Sequence, residues 1–208
     1  MLHGNVLLTA YRSSDCIAAL HAAAVTQGDK CVIMPGPSSS GKSTLTAALV
    51  AAGFGYCADD LILLTDAPVR VRPVATSLGV KFGSLKILHR MFPELDQLPT
   101  HVRRDGKQIK YLSPPLHGIA KIQDSYTATS LVFPVWFSSS TTKVRKIGTG
   151  EALARLTVSG YDVPNGINSE IVAQLIAWAS ELPCFELRYD ALEDAVRAVS
   201  DLPSIAAA

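Results

Sequence analysis

The octapeptide Gly36-Pro37-Ser38-Ser39-Ser40-Gly41-Lys42-Ser43 satisfies the pattern G-x-x-x-x-G-K-[ST], and no other stretch of the 208 residues constrains the fold as much. A loop of this spacing curls successive backbone N–H groups around an anion. Its lysine reaches the outer phosphates of a nucleotide, and its hydroxyl reaches a metal ion. The arrangement works between a strand and a helix, because the helix N-terminus adds a partial positive charge at the same point. Both flanks meet that condition. Residues 31–34 are a β-type run leading into the loop, and residues 43–52 are rich in Ala and Leu with no helix breaker, closed by Gly53. The predicted nucleotide site is therefore Gly36 to Ser43 with Thr44 beyond it. The expected ligands are ATP and Mg²⁺, with Lys42 on the outer phosphates and Ser43 on the ion.

Around this unit, strands and helices are interleaved, which predicts an α/β layer architecture in a single domain spanning 1–208. Strands are expected at 6–11, at 54–57 running on through 61–64, and at 69–74, 107–112, 119–123, 129–137 and 184–189. Residues 12–15 and 27–30 read as turns, and 16–25 as an apolar segment interrupted by His21. Helices are expected at 83–91, at 149–158 capped by Thr149, at 168–182 capped by Asn168, and at 191–202. Pro134 lacks a backbone donor and predicts an edge position for its strand. Residues 93–106 read as a loop.

Nineteen basic residues against eighteen acidic ones leave a net charge of +1, so no overall field favours nucleic acid or a membrane surface. No apolar run approaches the ~20 residues of a membrane-spanning helix. The four cysteines are scattered without metal-ligand spacing, and the three inside apolar stretches read as small buried hydrophobes. Residues 1–5 lack the basic stretch of a secretory signal, and a cytoplasmic protein is expected.

Seventeen residues beyond Lys42, at a strand end, stands the pair Asp59-Asp60. Side chains alternate in direction along an extended chain, so one carboxylate can face a metal ion and the other a substrate proton. A solvated acidic turn is the plainer reading of such a pair. His21, in an apolar segment, would by itself be read as a core histidine.

Together, Leu20-His21-Ala22-Ala23-Ala24-Val25, the loop at 36–43 and Gly55-Tyr56-Cys57-Ala58-Asp59-Asp60 resemble the catalytic domain of HPr kinase/phosphorylase. The match over residues 19–62 is specific. Tyr111-Leu112-Ser113-Pro114-Pro115 and Val132-Phe133-Pro134 look more like the diverged HPr-kinase-like proteins that accompany ribosomally made peptides such as lasso peptides. The resemblance implies a phosphoenolpyruvate-carboxykinase-like P-loop fold with a mixed central sheet and transfer of the γ-phosphoryl group of ATP to a serine of a peptide or small protein. It implies Asp59 as general base with His21 beside it to tune that carboxylate, Asp60 and Ser43 on Mg²⁺, Lys42 on the phosphates, and assembly into a homo-oligomer. Ser39 stands where the family usually has glycine, and Ser77 to Gly83 carries only Lys81 as a charge where the family uses an acidic residue. Lys143 and Arg145 read as a solvated edge strand, with phosphate contact as the alternative. The same catalytic parts would also serve a kinase of a small hydroxylated metabolite, and Ser39 with the missing acidic residue suits a non-catalytic nucleotide-binding regulatory module.

Overall fold

The computed structural model describes residues 16–65, 67–74, 76–103, 105–114, 119–120, 124–163 and 166–206. The strand expected at 6–11, the turn at 12–15 and residues 121–123 of another expected strand lie outside them.

In chain order the strands are β1 (Cys16–Leu20), β2 (Ala22–Gln27) and β3 (Lys30–Pro35), followed by helix α1 (Lys42–Ala51). Next come β4 (Gly55–Ala58), β5 (Ile62–Thr65), β6 (Val71–Arg72), β7 (Leu78–Lys81) and α2 (Phe82–Leu88). A 3₁₀ turn at Pro93–Asp96 and β8 (His101–Val102) occupy the expected loop, and β9 (Gln108–Leu112) and β10 (Thr127–Trp136) follow. The chain continues through β11 (Lys143–Ile147), α3 (Thr149–Ser159), β12 (Tyr161–Asp162), α4 (Ser169–Glu181), β13 (Cys184–Tyr189), α5 (Leu192–Ser200) and α6 (Pro203–Ala206).

The central sheet has six strands in the order β11-β13-β10-β3-β2-β4. It is mixed: β10 runs parallel to both β3 and β13, while β2 is antiparallel to β3 and β4. A four-stranded antiparallel sheet, β12-β1-β5-β6, and a three-stranded one, β7-β9-β8, flank it. On β2 and β3 the side chains alternate between two cores. Ala23, Val25, Val32 and Met34 join the core that holds α1, and Ala22, Ala24, Cys31 and Ile33 join the one shared with the four-stranded sheet. Burial on both faces explains why these strands read as continuous apolar runs.

α1 ends in a Schellman motif. The Gly53 N–H donates to Val50 O at 3.0 Å and the Phe54 N–H to Leu49 O at 3.0 Å, with Gly53 at φ +100°. Asn168 caps α4 as expected, its side chain accepting from the Ile171 N–H at 2.8 Å. Thr149 does not cap α3: the capping position is Gly148, and Thr149 is the first helical residue.

The Pro134 strand is not at an edge. β10 lies between β13 and β3, yet its pairing with β3 stops at Leu131, opposite Ile33, and β3 itself ends at Pro35, where the chain enters the phosphate loop before the register reaches Pro134. Two residues beyond Pro134, the Trp136 N–H donates to Ser40 O at 3.1 Å. Alternate N–H groups of a strand point to the same side, so Pro134 places its missing donor toward the departing loop, where no ladder bond is lost.

Candidate functional site

The loop that follows β3 is closed by its own hydrogen bonds. The Ser40 N–H donates to Pro37 O at 3.3 Å, and the Leu45 N–H to Gly41 O at 2.9 Å begins the helix. Gly41 sits at φ +100°, and a Cβ there would lie 2.2 Å from Tyr189 Oη and 3.2 Å from Trp136 Cβ. Only glycine satisfies both the backbone and the space. Ser39 adopts φ +70°, in the left-handed region that favours glycine.

Lys42 is 5% exposed and its Nζ donates to Gly36 O at 2.5 Å and to Pro37 O at 3.0 Å. Burial lowers its pKa, while the charges of Asp60 and Asp59 pull the other way. The ammonium is thus held on the loop's own carbonyls, in the field of both carboxylates. The Thr44 hydroxyl bonds that of Ser84 on α2 at 2.7 Å, tying the loop helix to α2.

His21 and Asp59-Asp60 occupy the two places where the chain crosses between the same pair of sheets. His21 links β1 of the four-stranded sheet to β2 of the central one, and residues 59–61 link β4 of the central sheet back to β5. Because Leu20 pairs with Ile62 and Ala24 with Ala58, the two crossings lie side by side. The continuous apolar run at 16–25 is therefore two strands in two sheets.

The carboxylates face opposite ways. Asp59 is 2% exposed and its Oδ2 accepts the Gly79 N–H from β7 at 3.2 Å. Its buried Oδ1 has no hydrogen-bond partner among the described residues. Burial, with the charge of Asp60 adding to it, pushes the Asp59 pKa up to about 6, and the Ser43 hydroxyl, the Gly79 N–H and Lys42 pull it back. The Asp60 side chain is exposed and stands with Oδ1 3.7 Å from His21 Nε2. His21 holds the Asp60 pKa below the usual carboxylate range, and Asp60 raises that of His21. The His21 Nδ1 lies 2.9 Å from Ser159 O; because a carbonyl can only accept, Nδ1 carries the proton and Nε2 faces Asp60. The histidine expected beside Asp59 thus serves Asp60.

Two residues not among the predicted site residues belong here. Lys81, at the end of β7, directs its Nζ to Ser38 Oγ at 3.3 Å and Ser39 Oγ at 3.2 Å, which sets a second cation at the loop. In the sequence it stands out only as the one charge between Ser77 and Gly83. Trp136, at the end of β10, lies against Gly41, and no local pattern in the sequence marks it. Arg145 lies on the edge strand β11 and pairs with Glu151 at 2.8 Å and Glu186 at 3.3 Å, as a solvated edge strand would. Among the described residues no cluster of three or more His, Cys, Asp or Glu forms a metal cage, and no helix is long and apolar enough to cross a membrane.

No family model matches the chain, and no curated protein matches it. Among solved structures, the chain is similar to the Hpr(Ser) kinase/phosphatase from Coxiella burnetii, with 12% identity and a TM-score of 0.40 over 87% of this chain and 95% of that one.

Proposed function

We propose that this chain is an ATP-dependent kinase of the phosphoenolpyruvate-carboxykinase-like P-loop type that phosphorylates a serine of a peptide or small protein. The observation that carries the reading is the meeting, at one loop, of a buried lysine and two adjacent carboxylates whose proton affinities are driven apart. Sites that use one group as base and another as a fixed charge have this form. Asp59, held near pKa 6 with its Oδ1 unpartnered, accepts the proton of the serine hydroxyl as that oxygen attacks the γ-phosphorus. The bond to the β–γ bridging oxygen breaks and ADP leaves, with Lys42 neutralising the outer phosphates.

The donor set fits Mg²⁺. Ser43, in the first turn of α1, and Asp60 would offer it hard oxygen ligands, and few protein ligands would be required because this ion is held largely by phosphates and water. Its chemistry there is to neutralise charge on the transferring phosphoryl group. His21, when its Nε2 is protonated as well, keeps Asp60 ionised and oriented for that task.

Mass spectrometry of serine-bearing peptides incubated with the protein, Mg²⁺ and ATP tests the reading. Gain of one phosphoryl group on a serine, lost in Lys42→Ala, is the expected result. Nucleotide binding without transfer to any serine peptide would remove the peptide-kinase reading.

A further inference from the structure

The phosphate loop has two unlike flanks. On one lie Asp59, Asp60 and His21, carried by the junctions around β2 and β4, with Lys81 from β7. On the other are the carboxyl ends of β10 and β13. β3, β10 and β13 run parallel, so all three end at the loop, where open α/β sheets receive their ligands. There Trp136 is 48% exposed and Phe137 62% exposed.

Their backbone is fixed. The Trp136 N–H is bound to Ser40 O, the Phe137 N–H donates to Tyr189 O at 2.9 Å, and the Ser139 N–H donates to Asp190 Oδ2 at 2.9 Å. Tyr189 in turn donates its hydroxyl to Gly41 O at 3.2 Å. The backbone that carries this half-exposed indole is thus fixed against the loop, with the Trp136 Cβ facing Gly41, on the side away from the carboxylates.

We infer that Trp136 is the platform on which the nucleobase of the bound triphosphate stacks. The inference rests on the kinase reading above. A triphosphate in this loop with its transferred end toward Asp59 has its nucleoside end toward β10, where Trp136 and Phe137 present the only pair of consecutive exposed aromatic residues among the described residues. Purine rings stack on such faces, and stacking by itself does not separate adenine from guanine because both present a π-face.

Calorimetric titration of wild type, Trp136→Ala and Trp136→Phe with Mg²⁺-ATP and with inorganic tripolyphosphate tests the assignment, since tripolyphosphate fills the loop but has no base. Tripolyphosphate affinity should be equal in all three proteins, which also reports an intact loop. ATP affinity should fall about 5- to 150-fold in Trp136→Ala, and much less in Trp136→Phe. ATP should quench the fluorescence of wild type, an effect absent in Trp136→Phe although Trp178, 8% exposed, remains. Unchanged ATP affinity in Trp136→Ala, or equal losses for both ligands, overturns the platform. So does a loss confined to the KM of the peptide acceptor, which would make the aromatic pair an acceptor-docking surface. If wild type binds neither ligand, the nucleotide reading falls, and the platform with it.

Discussion

His21 holds Asp60, not Asp59: its Nε2 stands 3.7 Å from Asp60 Oδ1, while its Nδ1 is anchored on the Ser159 carbonyl. The pairing divides the adjacent carboxylates into one kept ionised at the surface and one buried with a raised pKa. It also explains why the imidazole lies where the chain passes between sheets, since only there do two separate crossings bring residues 21 and 60 together.

His21→Ala should therefore act through the metal ion. Loss of a side chain that orients a metal-binding carboxylate typically costs about 10- to 100-fold in metal affinity or activity. The Mg²⁺ concentration for half-maximal transfer should rise accordingly, with nucleotide affinity in the absence of metal unchanged. The pair's contribution to folding is limited to a pH window. His21, with its pKa raised, contributes below pH 6.5 and ceases to do so as pH rises through its folded pKa. Asp60, lowered, contributes above pH 3.8 and ceases as pH falls through its folded value. The Asp60 side chain is exposed and that of His21 partly so, so even inside that window melting curves should differ little from wild type.

Asp59 behaves oppositely. Its folded pKa of about 6 lies above the ordinary 3.8, so folding favours its protonated form, an advantage present below pH 3.8 and lost as pH rises through 6. That lift corresponds to about 3 kcal/mol as an upper bound. Asp59→Asn should stabilise the metal-free protein at pH 8 and do little at pH 4, while phosphotransfer falls about 10²- to 10⁴-fold. For wild type, kcat/KM should rise with pH through an acid limb near 6, and the residual activity of Asp59→Asn should lack it. Urea denaturation at the two pH values, with a pH–rate profile, measures both. Equal stability changes at pH 4 and pH 8 would mean that Asp59 is not a strained carboxylate.

Lys81 should contribute to nucleotide affinity without being required for it. Among the described residues its ammonium is bound only by the Ser38 and Ser39 hydroxyls, at the solvent face, where charge is screened. Lys81→Ala should weaken ATP binding by up to about fivefold at low salt, with the difference from wild type disappearing at high salt. Lys42→Ala, removing a buried cation, should abolish transfer at any salt. A salt-independent loss on Lys81→Ala would indicate direct phosphate contact in a desolvated site.

What could be read from the sequence was local. The strand, loop and helix around residues 31–53, the Gly53 terminator and the Asn168 cap each depend on residues a few positions apart. The division of 16–25 into β1 and β2 could not be read, because both pieces are apolar and only their pairing with β5 and β4 separates them. Pro134 misled for a related reason. Its strand is interior, and the proline is accommodated because β3 leaves the sheet just before it, which depends on tertiary pairing. Lys81 and Trp136 lie 39 and 94 residues from Lys42 and reach the loop through β7 and β10. No spacing rule connects such distant positions, so they emerge only when the sheet is assembled.

The two left-handed positions of the loop should respond in opposite senses. Ser39 adopts φ +70°, and among the described residues its hydroxyl bonds only the partly exposed Lys81, so Ser39→Gly removes about 1–2 kcal/mol of backbone strain. Against this, glycine loosens the unfolded chain by about 0.4–1 kcal/mol. A rise in Tm of a few degrees and equal or tighter ATP binding are expected. Gly41 combines φ +100° with a Cβ position 2.2 Å from Tyr189 Oη, so Gly41→Ala meets backbone strain and a collision together. It should cost about 2–3 kcal/mol or more and eliminate ATP binding by displacing the loop. Adding Tyr189→Phe removes the colliding oxygen but leaves the backbone angle, so the double variant should recover part of the stability loss. Thermal melts and ATP titrations on the four proteins decide the matter. If Ser39→Gly is the destabilising change, or if Tyr189→Phe gives Gly41→Ala no relief, the loop is not held as described.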